Sequence, residues 1–253
     1  MCRHLAYVGP PVTLASPVLD APHSLLHQSH APADMRGGGT VNVDGFGVGW
    51  YPSTDGAAMR YRTASPIWSD DSFAALARVT TSPALLAAVR SATTGMPVTP
   101  TANAPFVDGR WLFSHNGRVA GWPESVTAIA GELPVRDLLT LDASTDSALL
   151  WALVRRNLRA GQDPARVLRD VVTSVAAAAP GSRLNLLLTD GTTIWATAWG
   201  HALSLRVDAH RALVASEPID EPPTWTGVPD RHLVEARPGH HRVIPLLTTT
   251  GVR

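Results

Sequence analysis

The sequence predicts an α+β fold in which antiparallel sheets pack against a helical layer. Three observations carry this. Strand-like apolar runs fill both ends of the chain, a pair of amphipathic helices sits in its middle, and Gly, Pro, Asp or Ser bound most of the runs. The first half reads as strands at Leu5–Val8, Phe46–Tyr51, Ala58–Arg62, Leu86–Ser91 and Trp111–Ser114. The last third adds Leu184–Thr189, Thr193–Trp199, Leu203–Val207 and Ala212–Ser216. Between them, Asp146–Arg159 follows a Ser144/Thr145 cap and ends near Gly161. Pro164–Ala179 opens with proline in its first turn and stops at Pro180–Gly181. A shorter helix is expected at Ser72–Thr80, where Phe73, Leu76 and Ala77 share one face. Pro10 to Thr40 reads as a long surface loop with one short helix near Ser24–Gln28. Gly37–Gly39 and Glu221–Pro229 are loop-rich yet too short for interdomain linkers, so residues 1–253 are expected to form one domain.

Composition narrows the function classes. With 45% hydrophobic residues in 253, the chain can bury a sizeable core. The 21 basic residues balance 21 acidic ones, without the basic excess that neutralises phosphate backbones, so nucleic acid is not an expected partner. A single cysteine excludes an internal disulfide and any multi-cysteine metal site, and fits a reducing cytoplasm. No leader is expected, because residues 1–30 lack a basic stretch followed by a continuous apolar one. The longest apolar stretches, such as Val175 to Ala179, are far too short to span a bilayer.

That single cysteine is Cys2, where loss of Met1 would put a thiol and a free α-amine on one residue. A thiol attacks as thiolate, and at its ordinary pKa of about 8.5 it needs a base. All 21 basic residues are arginine, so the α-amine, with an ordinary pKa of about 7.7–8, is the one aliphatic amine on offer. A lone cysteine is more often a small buried hydrophobe. Here, however, Cys2-Arg3-His4-Leu5-Ala6-Tyr7-Val8 runs straight from the chain end into a strand.

Four further segments carry candidate chemistry. Ser114-His115-Asn116-Gly117 is expected to end a strand in a tight turn. Asn–Gly in isolation reads first as a plain hairpin turn, and the same geometry offers an oxyanion site, with the Asn116 side-chain amide and the Gly117 N–H as donors and His115 near substrate. Arg90 interrupts an apolar run, and its planar fork suits either a surface ion pair or a substrate α-carboxylate, with Thr93 lining the same pocket. Asp146 either complements a helix start or receives an α-ammonium opposite Arg90. Gly45, Gly47 and Gly49 lack the spacing of a dinucleotide loop. They are expected to let the backbone approach the N-terminal strand or substrate closely. Adjacent His240 and His241 on a strand would face opposite sides and share no ion, whereas a Cys2–His4 pair stays open below the α-amine mechanism.

Taken together, Cys2, Arg90-Ser91-Ala92-Thr93, His115-Asn116-Gly117 and Asp146 resemble the class II glutamine amidotransferases, and Ala215-Ser216-Glu217-Pro218 extends the likeness towards the far end. The pattern departs at Thr94, where many members carry histidine. The resemblance implies an N-terminal-nucleophile hydrolase fold, a four-layer αββα sandwich with two antiparallel sheets. It implies Cys2 as nucleophile and base, Arg90 on the glutamyl α-carboxylate, Asn116 and Gly117 as oxyanion hole, and Asp146 on the α-amine. It implies no metal and no cofactor. At 253 residues a fused synthase is not expected. Cys2 to Tyr7, Pro22 to Ser29 and Asn42 to Tyr51 resemble the subgroup that hydrolyses γ-glutamyl-hercynylcysteine sulfoxide in ergothioneine biosynthesis. The competing readings are a glutaminase subunit feeding a separate synthase, and a non-catalytic binder of glutamyl or betaine ligands.

Overall fold

Side chains alternate along β1 (Arg3–Thr13): Leu5 and Tyr7 point to one apolar layer, Ala6 and Val8 to another. A strand buried on both faces needs a layer above and below, and the rest of the chain supplies them. The computed structural model describes residues 2–34, 41–53, 56–221 and 224–247. Among these, β1 sits inside a 7-stranded sheet with β2 (Phe46–Trp50), β3 (Met59–Thr63), β4 (Thr81–Val89), β9 (Ser204–Val207), β10 (Ala212–Ala215) and β11 (Thr226–Gly227), in the order β11-β9-β10-β1-β4-β2-β3. A 6-stranded sheet holds β5 (Phe106–Asp108), β6 (Trp111–Arg118), β7 (Arg183–Thr189), β8 (Ile194–Ala198), β12 (His232–Arg237) and β13 (His240–Pro245), in the order β13-β12-β8-β7-β6-β5. Every neighbouring pair is antiparallel.

The sheets meet through Ala6, Val8, Leu86, Leu112, Leu187 and Ala196. Outside the first sheet lie α1 (Leu25–Gln28) and α2 (Asp71–Val79), which bury Leu25, Phe73 and Ala77 against Leu5, Tyr7 and Phe46. Two short helices, α3 (Thr127–Gly131) and α4 (Val135–Leu139), precede α5 (Asp146–Arg159) and α6 (Pro164–Ala178), which cover the second sheet. There Trp151 stacks on Phe113 with ring centroids 5.3 Å apart. The α+β class and the αββα layering are therefore as expected.

Local chemistry explains the helix ends. Thr145 caps α5 by accepting the Ala148 N–H, Asp163 caps α6 by accepting that of Arg166, and Asp70 caps α2 through Phe73. Several boundaries differ from expectation. Instead of a loop from Pro10, β1 runs on to Thr13 across a register shift between Val8 and Val12, and a π-helical turn follows at Ser16–Asp20. Gly37–Gly39 lie outside the described residues. The run at Trp111 does not stop in a turn at Asn116-Gly117. It continues to Arg118, pairing Asn116 with Asn185 and Gly117 with Leu184. Gly47 and Gly49 do permit close approach, but to the segment before β5 and to β6: a Cβ would stand 2.3 Å from the Ala104 carbonyl and 2.5 Å from Leu112 Cδ2. Their strand borders β4 and β3, not β1.

Candidate active site

Pairing brings three chain segments to one end of the central strands β10, β1 and β4. Arg3 pairs with Val89, so Cys2 before β1 meets the residues that follow β4, while Leu5 pairs with Ala215 and sets Ser216 beside His4. Half-buried Cys2 places its Sγ 3.7 Å from the Ser91 carbonyl oxygen. The sulfur borders a recess of about 30 Å³ that Arg90, Asn103, Ser114, His115 and Ser147 also line. Thr93 and Asp146 share a neighbouring cavity of about 460 Å³ with Ser144, Arg118 and Trp122. A third cavity, of about 400 Å³, opens beside Ser216 and Glu217.

Each expected residue has a definite setting. The Arg90 guanidinium donates to the Pro97 carbonyl at 2.8 Å and forms no ion pair with a carboxylate among the described residues. Its loop is held from below: Asp44 Oδ2 accepts the Ala92 N–H at 2.7 Å, Asp44 N–H donates to the Arg90 carbonyl, and Gly45 O accepts the Arg90 N–H. Thr93 is exposed at the cavity wall. Asp146, buried at the start of α5, accepts the N–H groups of Val119 (2.9 Å) and Ser147 (2.7 Å). It thereby fastens the segment after β6 to the helix.

Along β6, Ser114 and Asn116 face the first sheet and His115 faces α5. His115 Nε2 lies 2.9 Å from the Arg183 carbonyl, which only accepts, so Nε2 carries the proton and Nδ1 receives the Ser147 hydroxyl at 2.9 Å. Both ring nitrogens are thus engaged by protein. Gly117 is required because a Cβ would stand 1.9 Å from the Arg183 oxygen. Asn116 Nδ2 lies 3.3 Å from Ser216 Oγ.

Electrostatics around Cys2 are set by burial. His4 bonds Ser114 Oγ through Nδ1 at 3.1 Å, and burial, reinforced by His115, His201 and Arg3, lowers its pKa to about 3. It is a neutral ring occupied by serine, and the Cys2 thiol makes its hydrogen bond to Ser91, not to an imidazole. His201 is lowered to about 4, chiefly by burial and next by Arg183. Arg3 forms a buried ion pair with Glu217 at 3.0 Å, and Glu217 also accepts the N–H groups of Ala33 and Asp34. Desolvation lowers the Arg3 pKa against that pull. His240 and His241 sit on β13 as neighbours, and no group of three or more metal-ligating side chains occurs among the described residues. Sequence reasoning missed Asp44, Ser147 and the Ser216 contact; each lies inside a motif already noted, but its partner is distant in sequence.

Comparison with known proteins follows the same lines. The family model for class II glutamine amidotransferases matches residues 20–208. The chain is 42% identical over 247 residues to the γ-glutamyl-hercynylcysteine sulfoxide hydrolase of Mycolicibacterium smegmatis, covering 97% of this chain and 100% of that one. It is 42% identical over 236 residues to the protein of that name from Mycobacterium tuberculosis, covering 93% and 92%. Among solved structures, a glutamine aminotransferase class-II domain protein from Silicibacter pomeroyi superposes with TM-score 0.70 at 23% identity, covering 98% of this chain and 100% of that one. Glutamine phosphoribosylpyrophosphate amidotransferase from Bacillus subtilis gives 0.66 at 14%, over 98% of this chain and 50% of that one; both show the shared fold. With its αββα layers, the recess that gathers Cys2, Arg90 and His115, and a family-model match over most of its length, the chain belongs to the class II glutamine amidotransferases.

Proposed function

We propose that this chain hydrolyses the γ-glutamyl amide bond of γ-glutamyl-hercynylcysteine sulfoxide, releasing glutamate and hercynylcysteine sulfoxide. The observation that carries the reading is the recess that sets the Cys2 sulfur among Arg90, Ser114 and His115, in a chain 42% identical to hydrolases of that name. After loss of Met1, which lies outside the described residues, the Cys2 α-amine takes the thiol proton. The thiolate adds to the γ-carbonyl carbon, and the oxyanion is received by Asn116 Nδ2 and the Gly117 N–H. The C–N bond then breaks as the leaving amine takes the proton from the α-ammonium. Water, deprotonated by the same amine, hydrolyses the γ-glutamyl thioester and restores the thiol.

Arg90, without a carboxylate partner among the described residues, suits the substrate α-carboxylate; Thr93 and His115 border that end, and Asp146 suits the α-ammonium. The leaving half has room in the cavity beside Ser216. Asp34, Glu217, Asp220 and Glu221 line it, with Arg3 beside the first two and Arg206 on Asp220, and an acidic lining suits a trimethylammonium cation. The scheme uses no metal, cofactor or nucleic acid, and it reads residues 1–253 as one cytoplasmic domain. For the membrane question, no helix among the described residues is long and apolar enough to cross one.

The test is turnover of the purified protein on the sulfoxide conjugate and on glutamine, with intact mass reporting Met1. Glutamate release from the conjugate alone, lost in Cys2→Ala with glutamate still bound, is expected. Full activity in Cys2→Ala overturns the mechanism, and turnover of glutamine alone overturns the substrate.

A further inference from the structure

Ser216 stands where the ladder between β10 and β1 runs out, and it holds both backbone groups of His4. Its N–H donates to the His4 carbonyl at 2.9 Å, and its hydroxyl oxygen accepts the His4 N–H at 3.0 Å. The same oxygen lies 3.3 Å from Asn116 Nδ2, while Asn116 Oδ1, on a side chain 1% exposed, meets no partner among the described residues. A carboxamide keeps its shape when its oxygen and nitrogen exchange places, so the surrounding hydrogen bonds decide its orientation. With Nδ2 against Ser216, the serine oxygen accepts from two N–H groups and a buried carbonyl oxygen is left unpaired, a costly arrangement. With the carboxamide turned by half a revolution, Ser216 still accepts from His4 and donates its own proton to Oδ1. Both Nδ2 hydrogens then face away from the serine, on the inner face of β6 that Ser114 extends to the Cys2 recess.

We infer that Ser216 is a positioning residue that sets the Asn116 carboxamide by donating its hydroxyl proton to Oδ1, thereby aiming Nδ2 at the oxyanion and tying that donor to the strand that follows Cys2. This rests on the reading of Cys2 as nucleophile and Asn116 as oxyanion donor. A hydroxyl that already accepts from backbone has a single proton left to give, so it reads the carbonyl end of the amide and rejects the amino end. The consequence falls on the transition state: glutamate or substrate in the ground state does not need the aimed N–H, whereas the tetrahedral adduct does.

The experiment is steady-state kinetics on the full chain with Ser216→Ala, Ser216→Thr, Asn116→Ala and the Ser216→Ala/Asn116→Ala double variant, with calorimetric binding of glutamate to each. Ser216→Ala is expected to lower kcat by about tenfold or more with KM within about twofold, as for an interaction made in the transition state. Ser216→Thr, which keeps the hydroxyl, restores most of kcat, and Ser216→Ala adds no further loss when Asn116 is already alanine. Wild-type kcat in Ser216→Ala, a change confined to KM, or an undiminished extra loss in the double variant each overturns the inference. So does loss of glutamate binding in Ser216→Ala, which would make the serine a general support of the fold. Turnover surviving in Cys2→Ala instead overturns the parent reading, so the two failures are distinguishable.

Discussion

At the residue scale, the site is made by contacts between side chains and backbone groups far apart in the chain. Cys2 advertises itself by being the only cysteine and by standing next to Met1, and Arg90 by interrupting an apolar run. Their adjacency comes from the pairing of Arg3 with Val89, and the Cys2–Ser91 contact joins residues 89 apart, a distance no local pattern encodes. Asp44 shows the same limit. It stands just before a glycine-spaced strand with no local sign of a role, yet its carboxylate holds the Ala92 N–H and so sets the loop that carries Arg90. A charge-assisted hydrogen bond is stronger than a neutral one, so losing it loosens the loop that carries Arg90 and the Ser91 carbonyl, and the thiol gives up its contact with that carbonyl in any case when it becomes the attacking thiolate. Asp44→Ala is therefore expected to raise KM about tenfold while leaving kcat within about threefold, a loss of roughly 1.4 kcal/mol in ground-state and transition-state binding alike. A fall in kcat at constant KM in steady-state assays would place Asp44 in the chemistry instead.

At the element scale, helices were read more faithfully than strands because their signals are local. Thr145 and Asp163 cap α5 and α6 through contacts three residues away, within reach of any window of sequence. Strand ends depend on partners. Pro10 and Pro11 read as breakers, but a bulge between Val8 and Val12 lets β1 carry them while β4 supplies its far end. The hairpin of β12 and β13 escaped because β13 is largely exposed and carries His240, His241 and Arg242 in place of apolar alternation. Asn116-Gly117 was open to reading as a hairpin turn because that pair favours turns; inside β6 the glycine answers a different need, the approach of β7. Gly117→Ala would drive a methyl to within 1.9 Å of the Arg183 oxygen and press on the His115 ring, whose Nε2 would be 2.7 Å away. The strands must part or shift, so we expect a loss of about 1–3 kcal/mol by denaturant unfolding. An unchanged midpoint would mean that β6 and β7 separate here at no cost.

At the scale of the whole molecule, the inner layer between the sheets is unusual in carrying ionisable rings towards its active-site end. His4 is wholly buried with Nδ1 on Ser114, and its pKa is lowered to about 3 by desolvation, with His115 and His201 adding repulsion. His201, 5% exposed, is lowered to about 4. In the unfolded chain both rings titrate near 6.5. Between that value and the folded pKa, the unfolded state binds protons that the native state refuses, so stability rises with pH across this window. The contribution is fully present above about pH 6.5 and is lost as pH falls towards 4 and then 3, at up to about 1.4 kcal/mol per pH unit for each ring. Denaturant unfolding between pH 7.5 and 4.5, at about 0.15 M salt, should show the slope, and His4→Gln should remove His4's share of it. Two rings that are uncharged near pH 7 add no cation to the buried Arg3 beside them, so their protonation and collapse of the fold are coupled. A stability profile flat from pH 7.5 to 4.5 would show that these rings take up protons within the native layer and would remove the electrostatic argument for keeping them there.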